Sequence, residues 1–267
     1  MSTVSALILT RFRETAERVA AWLTKKRYQA LFLDLPQDLT TFVRRYVEEE
    51  IPLEEFWRSY SYLTGLQEPF VNALRYTLNP ILNVLTQLRN RMPGLIVYCY
   101  EDLGCHIEAS RLSERLLLLE TGERVRRRIK LRAWRDLLRD EYELAAVGLR
   151  GMVENIVEEA GKHSRNTILY GGLVKPFKCS MEARGFKVEP IYLQHYWRSP
   201  LEVLRTILWV QGVDDVPDEV IMRCIKCHLN YLDFVLSSKD LDAAHGNWTS
   251  ETRPHVPRKN QLTTCKS

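Results

Sequence analysis

Short apolar runs rich in β-branched and aromatic residues alternate along this chain with longer stretches whose apolar positions recur every three or four residues. That order predicts α/β architecture. Ser5 to Thr10 reads as a first strand, and Gln29 to Asp34 (QALFLD), ended by Pro36, as a second. Between them Glu14 to Lys26 carries the helical stripe Val19, Trp22 and Leu23. Asp38 to Arg91 is helical throughout, with one stripe at Leu39, Phe42, Val43 and Tyr46, another at Phe56, Tyr60 and Leu63, and Pro52, Pro69 and Pro80 as punctuation. Gly94 to Tyr100 (GLIVYCY) reads as a third strand buried on both faces, Asn166 to Tyr170 (NTILY) as a fourth, and Phe186 to Leu193 as a fifth. Pro190 places the fifth at a sheet edge, since it cannot donate to a ladder.

The charged stretch from Ile107 to Lys162 reads as helix, although RVRRRIKL would also suit a strand in a hairpin turning at Thr121 and Gly122. Pro200 to Gln211 and Asp218 to Ser237 form a C-terminal helical pair. The expectation is one α/β domain over 1–237, a mainly parallel sheet of about five strands, and large helical insertions at 38–91 and 107–162. Residues 238–267 are polar and aperiodic and are expected to form a loosely ordered tail, in which the acceptor triplet Asn247, Trp248 and Thr249 is incidental.

Composition narrows the classes. Of the 267 residues 45% are apolar and 27% charged, which excludes a disordered or fibrous chain. No apolar run approaches the roughly 18 to 20 residues of a spanning helix. The first Arg stands at position 11 with no basic segment before it, so a cytoplasmic location is expected. Net charge is +4, yet 124–139 (RVRRRIKLRAWRDLLR) alone carries +7, leaving the rest at −3. Arg126, Arg127, Arg128, Lys130 and Arg132 therefore form a basic patch that would suit phosphates. The preferred reading is a solvated helical face neutralised by Glu120, Glu123, Asp140 and Glu141, with nucleic-acid binding as an alternative.

Six scattered cysteines point to reduced thiols. Cys224, Cys227 and His228 spell CIKCH, a haem-attachment string, but both cysteines fall on the apolar stripe of Val220, Ile221, Tyr231, Leu232 and Val235. They read as buried small hydrophobes, and no haem or other cofactor is expected. A zinc site lacks a second ligand pair.

In open α/β sheets ligands gather beyond the carboxyl ends of the strands. Those ends carry Arg11 and Arg13; Asp34 and Asp38; Glu101, Asp102 and His106; Gly171, Gly172 and Lys175; and His195 and Tyr196. Asp34 with Glu101 or Asp102 could hold a divalent metal or divide acid and base roles, with His106 beside them. Asp102 equally suits a helix cap. Arg11, Arg13, Lys175 and the backbone amides of Gly171 and Gly172 are candidate contacts to an anionic ligand. The chain has no GxSxG elbow, HExxH helix, Walker loop or GxGxxG fingerprint.

Two segments, GLRGMVENIVEEA at 148–160 and NTILYGGLVKPF at 166–177, resemble the late part of the erythromycin esterase, TraB and Tiki superfamily. The opening LILTRFRETAERVAAW, followed by YQALFLDLPQDL, is similar to its first two strands, so the resemblance covers roughly 80 residues in order. It implies the fold, and an activity of metal-dependent proteolysis or esterase-type hydrolysis. Where the family has its first histidine this chain has Phe12 or Arg13; at the helix arginine it has Gly148, with Arg150 two places on; at the second histidine it has Leu173. What the resemblance leaves is a degenerate hydrolase-like protein that binds a protein partner or an anionic ligand. The rival is a hydrolase with a rebuilt acidic site at Asp34, Glu101, Asp102 and His106, with or without a divalent metal.

Overall fold

A computed structural model of the chain describes residues 2–195 and 197–252. Five strands, β1 (Thr3–Ile8), β2 (Ala30–Pro36), β3 (Ile96–Glu101), β4 (Arg165–Tyr170) and β5 (Lys187–Ile191), form one sheet in the order β3-β2-β4-β1-β5. Every pairing is parallel. Parallel neighbours need crossovers, and the helical segments supply them. Helix α1 (Arg13–Lys25) links β1 to β2, while α2 (Thr40–Val47), α3 (Leu53–Thr64) and α4 (Glu68–Arg91) link β2 to β3. Helices α5 (Leu103–Arg126) and α6 (Leu131–Ala160) link β3 to β4, and α7 (Val174–Ala183) links β4 to β5. Three more follow: α8 (Pro200–Gln211), α9 (Asp218–Ser237) and α10 (Leu241–Thr252).

Alternation along the strands separates two cores. Leu7, Leu31, Leu33, Val97 and Leu169 pack on α1 to α4, whereas Val4, Ala6, Ala30, Phe32 and Ile168 pack on α6 and α7. A third core joins Trp134 and Leu138 of α6 to Leu204 and Leu208 of α8 and Ile221 and Ile225 of α9. The 30-residue α6 thus serves the sheet with its C-terminal half and the helical bundle with its N-terminal half.

β3 is an edge strand whose two faces are both covered, Val97 and Cys99 packing in one core and Tyr100 in the other, with Ile96 exposed at its start. Several expectations need correction. Pro52 and Pro69 do mark helix starts, but Pro80 lies inside α4. The RVRRRIKL segment is neither strand nor continuous helix: α5 ends at Arg126, Arg127 takes the left-handed conformation (φ 51°), and α6 begins at Leu131. The expected tail is helical over Leu241–Thr252, with Ala244, His245 and Trp248 buried; Cys265 lies outside the described residues. On α9 the buried stripe is Ile221, Ile225, His228 and Tyr231. This rotates Cys227 to the surface and leaves Cys224 half-buried, so Cys227 is not a core residue. No helix is long and apolar enough to cross a membrane among the described residues.

Candidate active site

Asp34 is the one half-exposed residue in β2. It lies where the β2–β3 register shifts: Leu33 pairs with Cys99, but Pro36 pairs with Glu101. An extra residue in one strand kinks it and re-aims a side chain, and such irregularities gather at active sites. Here the carboxyl group is held at the carboxyl edge between β3 and β4. The Tyr100 hydroxyl oxygen lies 2.8 Å from Asp34 Oδ1 and 2.6 Å from the Leu169 carbonyl oxygen, reaching across β2 to β4. Its single proton goes to one of the two: when Asp34 is protonated, Asp34 donates to Tyr100 and Tyr100 to Leu169. The Gly171 N–H donates to Asp34 Oδ2 at 3.1 Å. A Cβ at Gly171 would stand 2.9 Å from that oxygen, and one at Gly172 would stand 2.5 Å from the Tyr170 hydroxyl oxygen. Neither glycine has a positive φ, so the pair is there for close approach rather than for a left-handed turn.

Glu101 ends β3 within hydrogen-bonding reach of Asp34. Its Oε2 lies 2.6 Å from His106 Nδ1, and His106 Nε2 lies 2.7 Å from the Tyr60 hydroxyl. A carboxylate only accepts, so the imidazole donates from Nδ1, and Nε2 accepts the Tyr60 proton in the neutral ring. The result is a continuous chain, Tyr60 to His106 to Glu101 to Asp34 to Tyr100, built from α3, β2, β3 and α5. Solvent reaches Asp34, Glu101 and His106, whereas Tyr60 and Tyr100 are buried.

The electrostatics follow from that enclosure. The Asp34 carboxyl is raised well above the ordinary range, first because surrounding protein desolvates it and then because of the charge on Glu101; the bonds from Tyr100 and Gly171 pull the other way. Tyr100 is raised by burial and by the charge of Asp34, and Tyr60 by burial and Glu101. Asp34 thus holds its proton to higher pH than an Asp in water does.

The other expected residues fall elsewhere. Asp102 is the N-cap of α5, accepting from the Cys105 N–H at 2.8 Å, and takes no part in the chain of bonds. Arg13 pairs with Glu17 and lies over the Tyr76 ring, and Asp38 is exposed on a single 3₁₀ turn at Gln37–Leu39. Lys175 is exposed in the first turn of α7. The Gly171 amide serves the protein's own carboxyl, which removes it from an anion cradle. Arg11 is reached by solvent yet enclosed, its basicity lowered by desolvation and by Arg205, with Glu202, Glu141 and Glu120 opposing. His195 lines a cavity of about 170 Å³ with Glu14, Gln194, Trp197 and Asp242, apart from Asp34. Tyr196 lies outside the described residues.

Two groups escaped the sequence reading. Tyr60 sits on an aromatic helical stripe and Tyr100 inside an apolar strand, so both read as core. Only the rule that a buried tyrosine hydroxyl needs a partner would have flagged them.

No group of three His, Cys, Asp or Glu side chains able to hold a metal occurs among the described residues. Both His106 nitrogens are engaged by the protein, Glu101 is bound to one of them and Asp34 is bound by the Gly171 N–H, so the donor set does not fit the metal that the resemblance implies. His228 is likewise committed, its Nε2 lying 2.6 Å from Glu120 Oε1. No family model, curated protein or solved structure matches this chain.

Proposed function

We propose that the protein is a hydrolase acting on carboxylic esters or amides through the Asp34–Glu101 carboxyl pair. One observation carries the reading: two carboxyls meet at the carboxyl edge of the sheet in unequal surroundings, one desolvated and favouring its proton, the other bonded to an imidazole. Environments that push paired titratable groups apart separate acid from base. Glu101, oriented by His106, takes a proton from the attacking water. Asp34, protonated, donates its proton to the carbonyl oxygen. As the tetrahedral intermediate collapses that oxygen returns the proton to Asp34, and Glu101 passes the proton it took from water to the leaving group. Tyr60 fixes the ring that fixes Glu101, and Tyr100 with the Gly171 N–H holds Asp34 in place. The segments resembling the erythromycin esterase, TraB and Tiki superfamily supply β1, α6, β4 and α7 around this pair, and Asn155 of the MVENI stretch donates to the Tyr100 carbonyl at 2.9 Å. That resemblance supports hydrolysis, with the carboxyl pair standing in for the family's absent histidines.

The test is turnover across panels of activated esters and peptides. Wild type is expected to show a bell-shaped dependence of kcat/KM on pH, with Asp34→Asn and Glu101→Gln each lowering kcat/KM by roughly 10²- to 10⁴-fold. Absence of turnover by the wild-type chain on every substrate would overturn the reading. It would leave the alternative, a binding protein for a partner or anionic ligand.

A further inference from the structure

The tip of the α5–α6 hairpin inverts the usual arrangement of a surface helix. Between Leu117 and Arg132 the chain has two acids, Glu120 and Glu123, and both are buried. Glu120 faces His228, and Glu123 accepts from the Trp134 indole N–H at 2.7 Å and the Lys130 backbone N–H at 2.5 Å. Asp140 and Glu141, the other acids expected to neutralise the basic run, pair with Arg115 and Arg205. Arg126, Arg127, Arg128, Lys130 and Arg132 are exposed, and no ion pair to a described residue forms at any of them. Two further acids near the tip in the fold or the sequence are engaged by other arginines, Asp233 by Arg124 and Asp136 by Arg139.

Beside these cations the surface is aliphatic. Val125 is 79% exposed, Leu118 73% and Leu117 54%. Leu118 and Val125 are seven residues apart and so share one face of α5. Aromatic side chains on which bases would stack are missing from the tip's surface, because Trp134 is fully buried.

We propose that this tip docks on an anionic phospholipid surface, with the five cations meeting lipid phosphates and Leu118 and Val125 entering the headgroup boundary. Phosphate contact alone would suit nucleic acid equally; the outward aliphatics, with no exposed aromatic among them, favour lipid. The inference is independent of the carboxyl pair, since the tip lies at the far end of a 24-residue helix that begins beside the pair.

The experiment is co-sedimentation of the full chain with vesicles of equal parts phosphatidylglycerol and phosphatidylcholine, and with phosphatidylcholine alone. Binding is expected on the anionic vesicles only, weakening as salt rises. Each cation near such a surface is worth about fivefold in partitioning, so changing all five to Gln is expected to lower binding by at least about a hundredfold. The pair Leu118→Ser and Val125→Ser keeps every charge and is expected to lower it severalfold. All seven side chains are exposed, and circular dichroism checks that the variants fold. Failure of the wild type to bind anionic vesicles at low salt overturns the proposal. So does RNA or DNA that displaces the vesicles while the serine pair changes nothing, which would reassign the tip to nucleic acid.

Discussion

At Asp34 the fold holds a carboxyl group in a place that raises its pKa, and such a group weakens the protein as the pH rises. An unfolded Asp releases its proton near about 3.9. In the native chain Asp34 keeps it well above that value, through desolvation and then the charge of Glu101. Between the two values the unfolded state has lost a proton that the native state retains. The contribution is therefore fully present below about pH 4, fades as pH rises, and is gone above the native pKa. Asp34→Asn removes this slope without stranding a partner: its amide oxygen can accept from Gly171, and its NH₂ can donate to Tyr100 while Tyr100 donates to Leu169. Thermal melts are expected to find the variant at least as stable as wild type near pH 8 and relatively weaker near pH 4, with turnover lost, because functional sites are held at a cost in stability. A variant clearly less stable than wild type near pH 8 would mean that the ionised carboxylate itself holds the strands together. Asp34, Glu101 and His106 were legible because strand-end positions in a parallel sheet are few and polar residues there stand out. Tyr60 was not, since its partner His106 is 46 residues away and nothing local distinguishes a bonded tyrosine from a packed one.

Helix ends show why some elements escape sequence reading. α1 has Phe12 at its N-cap, and that residue makes no side-chain cap bond. The missing acceptor comes from α10: the Asp242 carboxylate accepts from the backbone N–H of Arg13 at 3.2 Å and of Glu14 at 3.0 Å, and from the Tyr76 hydroxyl at 3.0 Å. The stretch LDAAHGNWTSET is rich in poor helix formers, so its order depends on packing of Ala244, His245 and Trp248, with Phe12 and Tyr231 against the His245 ring. A local pattern cannot show a helix whose stability comes from elsewhere, and the polar composition of 238–252 therefore read as tail. Asp242→Ala leaves two N–H groups and a hydroxyl without this acceptor. It is expected to cost about 1–2 kcal/mol in urea unfolding and to speed hydrogen exchange in 241–252 and in the first turn of α1 together. Exchange that rises in α10 alone would show that water replaces the cap at no cost.

The molecule has three cores, and α6 is the helix that joins the sheet to the core of the helical bundle. Val153, Ile156 and Ala160 of α6 pack on the sheet, whereas Trp134 and Leu138 join α8 and α9. Arg135 adds bonds to the carbonyls of Val213 at 2.7 Å and Val216 at 3.0 Å, tying the α8–α9 link to the same half of α6. The bundle is also tied to the sheet side by the first turn of α5, by Asp242 and by the packing of Phe12 on His245, and the rigidity of α6 near its middle is expected to set whether sheet and bundle unfold as one unit. Gly148 and Gly151 lie in that stretch, and a Cβ at Gly151 would meet nothing within 4 Å. Gly151→Ala is accordingly expected to stabilise by about 0.5–1 kcal/mol. Ala145→Pro, at an exposed position one turn earlier, breaks the bond to Glu141 and costs about 3 kcal/mol or more. Native-state hydrogen exchange separates the outcomes, because it reports the opening free energy of each segment. In wild type the slowest amides of α9 and of β1, β2 and β4 are expected to exchange through one common opening. In Ala145→Pro those of α8 and α9 should open at much lower free energy while the strands keep their protection. Loss of protection in equal measure across bundle and sheet would show instead that α5 and α10 hold the two halves together, with α6 only one strut among three.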